Sequence, residues 1–323
     1  MSNDCRQASQ LEFNASRHGG RGTCLFAICF ALVIACWWPT TANAQASVGN
    51  IGGAYPNATS GILAGTVPPK GHYWLMYHRF YHAPVTTDDF GNAQPVGFTL
   101  DTYVNAHRIV TVTDKKILGA DFAWNFVVPI VWIDSEVTAY GIKDTAMTLA
   151  DMNVEPFVIE WHEKQFDFGF VFGLFAPTAP YNSNQPALPG RDYWTLYPGL
   201  AGTYYFDEAK SWHISALSRY EFHTDRVSDG FHRGDDLSFE WGAGKSFQKQ
   251  GATFGVSGYC SWQVTENEGN GAYPKDRAYG IGPEIQYFST KWKLGYHLRH
   301  WFEFGARNRT EGEITTFTLV KPF

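Results

Sequence analysis

The chain offers many side chains that could do chemistry, and their spacing decides which chemistry. Eleven histidines invite a metal site. His213 and His223 share a strand face but stand about 33 Å apart along an extended chain, and His72 and His78 about 20 Å. His297 and His300 fall on opposite faces of a strand. No pair within a strand suits joint ligation, although cross-strand pairs stay open, so neither a metal nor a cofactor is expected. A hydrolase needs a nucleophile, a base and an orienting group within hydrogen-bond reach. Ser215, His213 and Glu221 share a face, but no oxyanion donors are gathered beside them, and no residue is assigned a catalytic role. Gly242-x-Gly244-Lys245-Ser246 lacks the spacing and following helix of a phosphate loop. What remains is a set of polar residues that alternate with greasy ones: Asp121, Asn125, Asp151, Asn153, Glu155, Arg219, Glu221, Glu240, Glu284, Arg299 and Glu303. Such a set either lines a channel and sets its selectivity, or forms an arginine–carboxylate network that braces a narrow lumen.

The elements that carry these residues are strands. In 165–176, Phe166, Phe168, Phe170, Phe172 and Leu174 occupy every second position, with Gln165, Asp167, Gly169 and Gly173 between them. Only an extended strand sorts residues with period 2. The pattern recurs. In 119–132, Phe122, Trp124, Phe126, Val128 and Ile130 face one way and Asp121 and Asn125 the other. In 210–223, Trp212, Ile214, Ala216, Tyr220 and Phe222 oppose His213, Ser215, Arg219, Glu221 and His223. In 291–304, Trp292, Leu294, Tyr296, Leu298 and Phe302 oppose Lys293, His297, Arg299 and Glu303. A charge on a lipid face near mid-bilayer costs roughly 2–4 kcal/mol, which explains why charges keep to one register. Trp124, Trp132, Trp194, Trp212, Tyr287, Trp292 and Trp301 are placed to form aromatic girdles at the membrane interfaces.

Twelve strands are expected, near 70–81, 98–112, 119–132, 147–160, 164–176, 191–206, 210–223, 234–248, 251–265, 277–288, 291–304 and 312–323. Short connections at 114–118, 162–163, 207–209, 249–250 and 289–290 alternate with longer ones at 82–97, 133–146, 177–190, 224–233, 266–276 and 305–311. Short turns at one end and longer loops at the other are the topology of an antiparallel, up-and-down transmembrane β-barrel, with the long loops extracellular. Pro129, Pro156, Pro198 and Pro283 fall inside these strands, where a closed barrel has no free edge, so bulges or shifted boundaries are expected. A kink at Pro156 or Pro198 would open a lateral exit toward lipid.

Composition and targeting agree with an exported barrel. Charged residues make up only 17% of the chain and aromatic residues also 17%, low charge and high aromatic content for a soluble protein. The formal charge of −6 argues against nucleic acid as a partner. Arg17 and Arg21 precede an apolar run from Cys24 to Trp38, closed by Pro39 and the small-x-small site Ala42-Asn43-Ala44. Residues 1–44 read as a cleaved signal peptide, and removing 44 of 323 residues leaves 279. A lipoprotein signal ending at Cys36 and a retained anchor helix are the competing readings. Four of the five cysteines lie in the removed part, so Cys260 is left without a disulfide partner. Residues 45–69, rich in Gly, Asn and Pro, read as an irregular extension that either dangles in the periplasm or acts as a hatch in the barrel. Residues 70–323 are the barrel.

Four spaced blocks carry a family resemblance: Asp114–Ala120 followed by Pro129, Pro189–Thr195, Gly242–Phe247 and Phe304–Gly312. Together they resemble the outer-membrane family named for the meta-pathway of phenol degradation, from about Gly61 to Phe323. The resemblance implies kinship with long-chain fatty-acid transporter barrels, residence in the outer membrane of a Gram-negative bacterium, and passage of small hydrophobic or aromatic solutes. It carries no catalytic residues. The terminal Phe323 resembles the C-terminal aromatic by which barrel-assembly machinery recognises its clients. The expected function is thus a channel for passive uptake of small hydrophobic or aromatic compounds through outer-membrane lipid. A structural or adhesive barrel with a closed lumen, and a membrane-embedded lipid-modifying enzyme, are the alternatives.

Overall fold

The computed structural model describes residues 50–269 and 271–323. The expected signal peptide, 1–44, lies outside the described residues. Thirteen strands follow one another: β1 (Gly71–Thr86), β2 (Phe98–Ile117), β3 (Ala120–Val137), β4 (Ile142–Leu149), β5 (Met152–His162), β6 (Phe166–Ala176), β7 (Thr195–Tyr205), β8 (Trp212–His223), β9 (Asp236–Phe247), β10 (Ala252–Gln263), β11 (Arg277–Ser289), β12 (Leu294–Arg307) and β13 (Thr310–Pro322). Consecutive strands pair antiparallel except β4 and β5, and β1 pairs with β13, from Tyr73 opposite Pro322 to Thr86 opposite Thr310. That last ladder closes the sheet and removes its edges. Twelve strands form the closed circuit, because β3 pairs with β5 along Asp121–Val127 and with β4 along Ile130–Val137.

The phenylalanine stripe lies where the period-2 pattern puts it. Asp167, Gly169, Val171 and Gly173 are buried inward, and Phe166, Phe168, Phe170, Phe172 and Leu174 are partly exposed on the outer wall. Around the barrel the outer face also carries Trp124, Phe126, Leu200, Trp212, Phe254, Ile285, Leu298 and Phe302, all exposed. A contiguous apolar belt of this kind is foreign to a soluble monomer and is what lipid requires.

Several boundaries differ from the sequence reading. The connections expected at 133–146 and 305–311 are mostly strand. β3 runs on to Val137 and folds back as β4, and β12 and β13 meet across Asn308 and Arg309. β1 likewise continues to Thr86, and β7 starts only at Thr195. These extensions alternate polar with apolar residues on both faces, so nothing in their hydrophobicity separates them from loop. The two-residue turn Leu118-Gly119 between β2 and β3 has both residues at positive φ, +52° and +82°. That is the primed-turn geometry whose twist matches a hairpin. The Trp161 indole caps it by donating to the Leu118 carbonyl at 3.0 Å.

The four prolines each interrupt a ladder. Pro156 sits in a bulge: the β5 register shifts between Val154 and Phe157 against β6, and its partner strand β3 shifts between Ala123 and Asn125. Pro129 lies where β3 changes partner from β5 to β4, and its carbonyl takes the Ala150 N–H. Pro198 faces Phe172 of β6 but leaves the ladder to β8 open between Leu196 and Gly199. Pro283 does the same between β11 and β12. A residue without an N–H is tolerated at such sites because no donor is left unpaired there.

Residues 50–69 neither dangle nor form a strand. They run through the barrel from Asn50, at the long-loop end, to Val67 and Pro69, beside the start of β1. The one regular turn is a 3-10 helix at Gly61–Leu63.

Candidate functional site

The lumen is filled by this N-terminal segment and by the inward side chains that hold it. Backbone N–H groups of an irregular segment need acceptors once they leave water. Here the wall supplies carboxylates. Glu221 on β8 accepts the N–H of Ala54 at 2.7 Å and of Tyr55 at 3.2 Å. Glu240 on β9 accepts from Thr59 at 2.9 Å and Ser60 at 3.1 Å. Glu284 on β11 accepts from Ile62 at 3.0 Å, and Glu160 on β5 from Val67 at 2.7 Å. Basic side chains take the segment's carbonyls: Arg299 that of Thr59, Arg309 that of Ile51 and Arg191 that of Gly52. Charge-assisted bonds of this type are each worth about 1.5–3 kcal/mol.

Close approach needs glycine on both sides. At Gly61, φ is +75° and a Cβ would lie 2.4 Å from Glu284 Oε1. A Cβ on Gly242 of β9 would lie 2.4 Å from the Ile62 Cα. The Gly242 block singled out in the sequence is therefore a seat for the segment.

The predicted polar residues separate into groups. Asn125, Asn153, Glu155, Arg219, Glu221, Glu240, Glu284 and Arg299 are all buried in the lumen. Glu155 is their hub: Arg108 Nη2 lies at 2.8 Å, Arg219 Nη2 at 3.7 Å, and Tyr197 donates to it at 2.9 Å. Asn125 bridges Arg108 and Glu155, and Asn153 donates to the Tyr197 hydroxyl at 2.8 Å. Arg299 pairs with Glu284 at 3.4 Å, and Glu284 also accepts from Ser257. Glu303 stands apart from them, taking the hydroxyls of Tyr81 and Tyr259 and the N–H of Gly312. Buried charges persist only when paired and hydrogen-bonded, and this wall meets that demand largely internally.

Two residues sit at the rims of the lumen. Asp121 lies at the short-turn rim, 2.6 Å from Lys116 Nζ. Asp151 lies at the β4–β5 junction and accepts the N–H of Ala179 and of Arg191, pinning the 177–194 loop. Trp301 is a correction. It is not a girdle residue but fully buried in the lumen, stacked on Tyr259 at 5.7 Å and donating to Ser257. Its odd number puts it in register with Arg299 and Glu303, a parity the sequence already contained.

Several important residues escaped the sequence reading. Tyr55 looks like turn punctuation, and Arg79 and Arg108 lie in strands where histidines obscure the alternation. Two histidine–carboxylate clusters form across strands. In one, His223 Nε2 is 3.0 Å from Asp236, but Arg233 from the β8–β9 loop already chelates Asp236 at 2.8 Å and reaches Asp276 at 2.8 Å. In the other, His162 lies 3.0 Å from Asp167, with Glu160 adjacent and Lys210 Nζ at 3.5 Å from the same carboxylate. An ammonium or guanidinium at the carboxylate supplies the positive charge a metal would bring. Ser215, His213 and Glu221 do not converge. Ser215 Oγ accepts from Gly65 N–H and Thr203, while Glu221 is committed to the N-terminal segment.

Two cavities flank the segment. One, of about 230 Å³, opens toward the long loops and is walled by Tyr55, Arg79, Tyr81, Val131, Phe175 and Tyr193 among others. The other, of about 430 Å³, opens toward the short turns beside Val67, Pro68, Tyr73 and Glu160. Thr59, Tyr77 and Arg108 belong to both walls and form the waist between them. Neither Pro156 nor Pro198 lines either cavity, so the expected lateral exits are not part of the described lumen.

Comparison with known proteins bears on this barrel. The chain is similar in fold to the COG4313 outer membrane channel from Pseudomonas putida F1, with a TM-score of 0.71 and 14% identity over 84% of this chain and 100% of that one. The β domain of the Bordetella autotransporter BrkA, with 11% identity over 79% of this chain and 100% of that one, scores 0.44. That likeness is too loose to carry an argument. No curated protein matches the chain in sequence. The family model described as "Putative MetA-pathway of phenol degradation" matches residues 85–319, and with that span covering all strands from the end of β1 to most of β13, the chain belongs to this phenol-degradation family of outer-membrane β-barrels.

Proposed function

We propose that the barrel is an outer-membrane channel for passive uptake of small hydrophobic or aromatic compounds. One observation carries the reading: two cavities lie to either side of Thr59, Tyr77 and Arg108, which belong to both walls. A solute the size of one ring has standing room on either side and one constriction to pass. The family's description and the fold shared with the P. putida channel support the same conclusion. The segment 50–69 then serves as a hatch, and the lumenal residues Asn125, Asn153, Glu155, Arg219, Glu221, Glu240, Glu284, Arg299 and Glu303 serve to hold and shape it. Asp121 and Asp151 serve at its two rims.

The test is solute flux into proteoliposomes, read against protein-free liposomes, for phenol-sized and sugar-sized solutes. Faster entry of the small aromatic alone is expected. Equal gains for both make the protein a general porin. No gain for either favours a sealed structural barrel, the reading for which the dense bonding of the hatch speaks. Release of labelled fatty acid from phospholipid would instead point to a lipid-modifying enzyme.

Two further parts of the proposal concern biogenesis. Residues 1–44 direct export and are removed after Ala44, which the mass of the mature protein tests. Phe323 is the assembly signal. Its ring is exposed, stacks on His72 at 5.9 Å, and its N–H bonds the His72 carbonyl at 3.1 Å. Removing it should lower the amount of folded barrel in the membrane.

A further inference from the structure

The cavity toward the long loops contains a cation with no direct ion-pair partner. Four arginines line it, Arg79, Arg108, Arg191 and Arg309, against three acids, Asp151, Glu155 and Glu303. Arg108 is paired with Glu155 at 2.8 Å. Arg309 donates to the Ile51 carbonyl and has Asp276 at 3.8 Å. Arg191 donates to the Gly52 carbonyl at 2.9 Å. Arg79 makes no such bond, and the Glu303 carboxylate attracts it only from beyond ion-pair distance. Its Nε is buried without a hydrogen-bond acceptor, and among the described residues no carboxylate lies within ion-pair distance of it. The acids cannot swing to it cheaply: Glu303 already accepts from Tyr81, Tyr259 and Gly312, and Asp151 from Ala179 and Arg191.

Arg79 also has the right surroundings for an amphipathic guest. It projects inward from β1, opposite Val104 of β2 and Thr316 of β13. Val104, Val127, Val131 and Ile133 make an apolar wall on the β2–β3 side of the same cavity. The volume, about 230 Å³, exceeds the roughly 150 Å³ that suffices for benzene in an apolar cavity. A single ring with one carboxylate fits this layout, ring on the valine wall and carboxylate on the guanidinium fork, whose planar donors match it bidentately. A neutral ring would leave the Arg79 donors unsatisfied. A phosphate brings more charge than one free guanidinium balances.

Building on the channel reading, we infer that the solute is an aromatic monocarboxylate, held in the outer cavity by Arg79. The experiment titrates the full barrel in detergent with benzoate and with benzyl alcohol, its neutral counterpart. The wild-type barrel should bind benzoate at least ten-fold more tightly. Arg79→Ala should weaken benzoate about ten- to hundred-fold, the range for a lost charge-assisted bond, and leave benzyl alcohol within two-fold. Arg79→Lys, which keeps the charge and loses the fork, should fall between. Equal binding of the two ligands by the wild type overturns the inference, as does benzoate binding that survives Arg79→Ala. The wild-type comparison decides alone if the alanine variant does not fold. Planar-bilayer recording in sodium benzoate separates this inference from the reading beneath it. Arg79-dependent binding without benzoate current sinks the channel and keeps the site. Passage of neutral aromatics with no Arg79 dependence keeps the channel and sinks the site.

Discussion

The Arg219 guanidinium carbon lies 3.7 Å from the centre of the Tyr55 ring, so a cation on the wall stacks on an aromatic of the hatch. Tyr55 is also edge-on to Tyr197 at 6.4 Å and donates to Glu240 at 3.3 Å. A desolvated cation–π contact is worth about 2 kcal/mol, or roughly thirty-fold in an opening equilibrium. Tyr55→Ala should therefore turn a quiet channel into one with frequent openings in planar-bilayer recording. An unchanged trace would mean the hatch is held elsewhere.

Gly242 tests the seat directly. A valine there would drive its side chain into the Ile62 backbone, 2.4 Å from the Cβ position, an overpacking cost of about 1–3 kcal/mol. The barrel wall has no need of glycine at that point, so the strain falls on the hatch. Hydrogen exchange of the Thr59, Ser60 and Ile62 amides should accelerate in Gly242→Val while strand amides keep their protection.

Tyr77 narrows the waist from the wall side and is 7% exposed. Its hydroxyl accepts a hydrogen bond from the Arg108 guanidinium, which keeps Asn125 and Glu155 as partners in the alanine variant; the Asn105 amide bonds only the Tyr77 carbonyl. Tyr77→Ala should join the two cavities and raise conductance without lowering thermal stability in proportion. Conductance equal to wild type would place the constriction on Arg108 and Thr59 instead.

Pro198 interrupts the β7–β8 ladder but lies away from both cavities. Pro198→Val should leave solute uptake unaltered. A clear change in uptake would reinstate a lateral route.

At the short-turn end, Asp207 accepts the N–H groups of Trp212 and Ser211, both at 2.9 Å, and the Ser211 hydroxyl at 2.7 Å. The Trp212 N–H bond foremost, then the Ser211 hydroxyl, hold its carboxyl below the usual 3.8. A carboxyl depressed in the folded state stabilises the turn fully above its unfolded pKa and loses that effect as pH falls through the folded value. Exchange protection of the Trp212 amide should hold from neutrality down to about pH 4 and decline below it. Asp207→Asn should show no such decline.

The sequence made the barrel legible because lipid imposes a strict rule on one face. The stripe Phe166–Phe172 and the inward set His213, Ser215, Arg219 and Glu221 needed only period 2 to be sorted correctly. Beyond the membrane the rule lapses, and there most of β4 and the ends of β3 and β12 read as loop. The twelve expected strands match the twelve of the closed circuit; β4 is the additional strand, and only its residues 147–149 fall within the expected unit 147–160 that holds β5. Nine of the eleven polar candidates lie deep in the lumen and the other two, Asp121 and Asp151, at its rims, yet their purpose is not legible in the sequence. Glu221, Glu240 and Glu284 accept backbone N–H groups from a segment about 160 to 220 residues away in the chain. Backbone donors have no sequence signature, so from sequence the acceptors read as either a channel lining or a self-contained network. Arg79 escaped notice because outward His78 and His82 flank it and mimic its polarity.

The path of residues 50–69 also constrains how the molecule is made. The segment that precedes β1 is bonded to β5, β8, β9, β11 and β12, and the final seam joins β1 to β13. Its acceptors are synthesised long after it. The stretch must therefore wait unpaired until most of the wall exists, and then be enclosed as the first and last strands zip together or be threaded through a finished ring. Enclosure makes ring closure and hatch docking a single cooperative event. A barrel lacking the stretch would close around Glu160, Glu221, Glu240, Glu284, Arg191, Arg299 and Arg309 stripped of the backbone partners it supplies, so its folding yield should report on the order of assembly as much as on the stability of the finished wall.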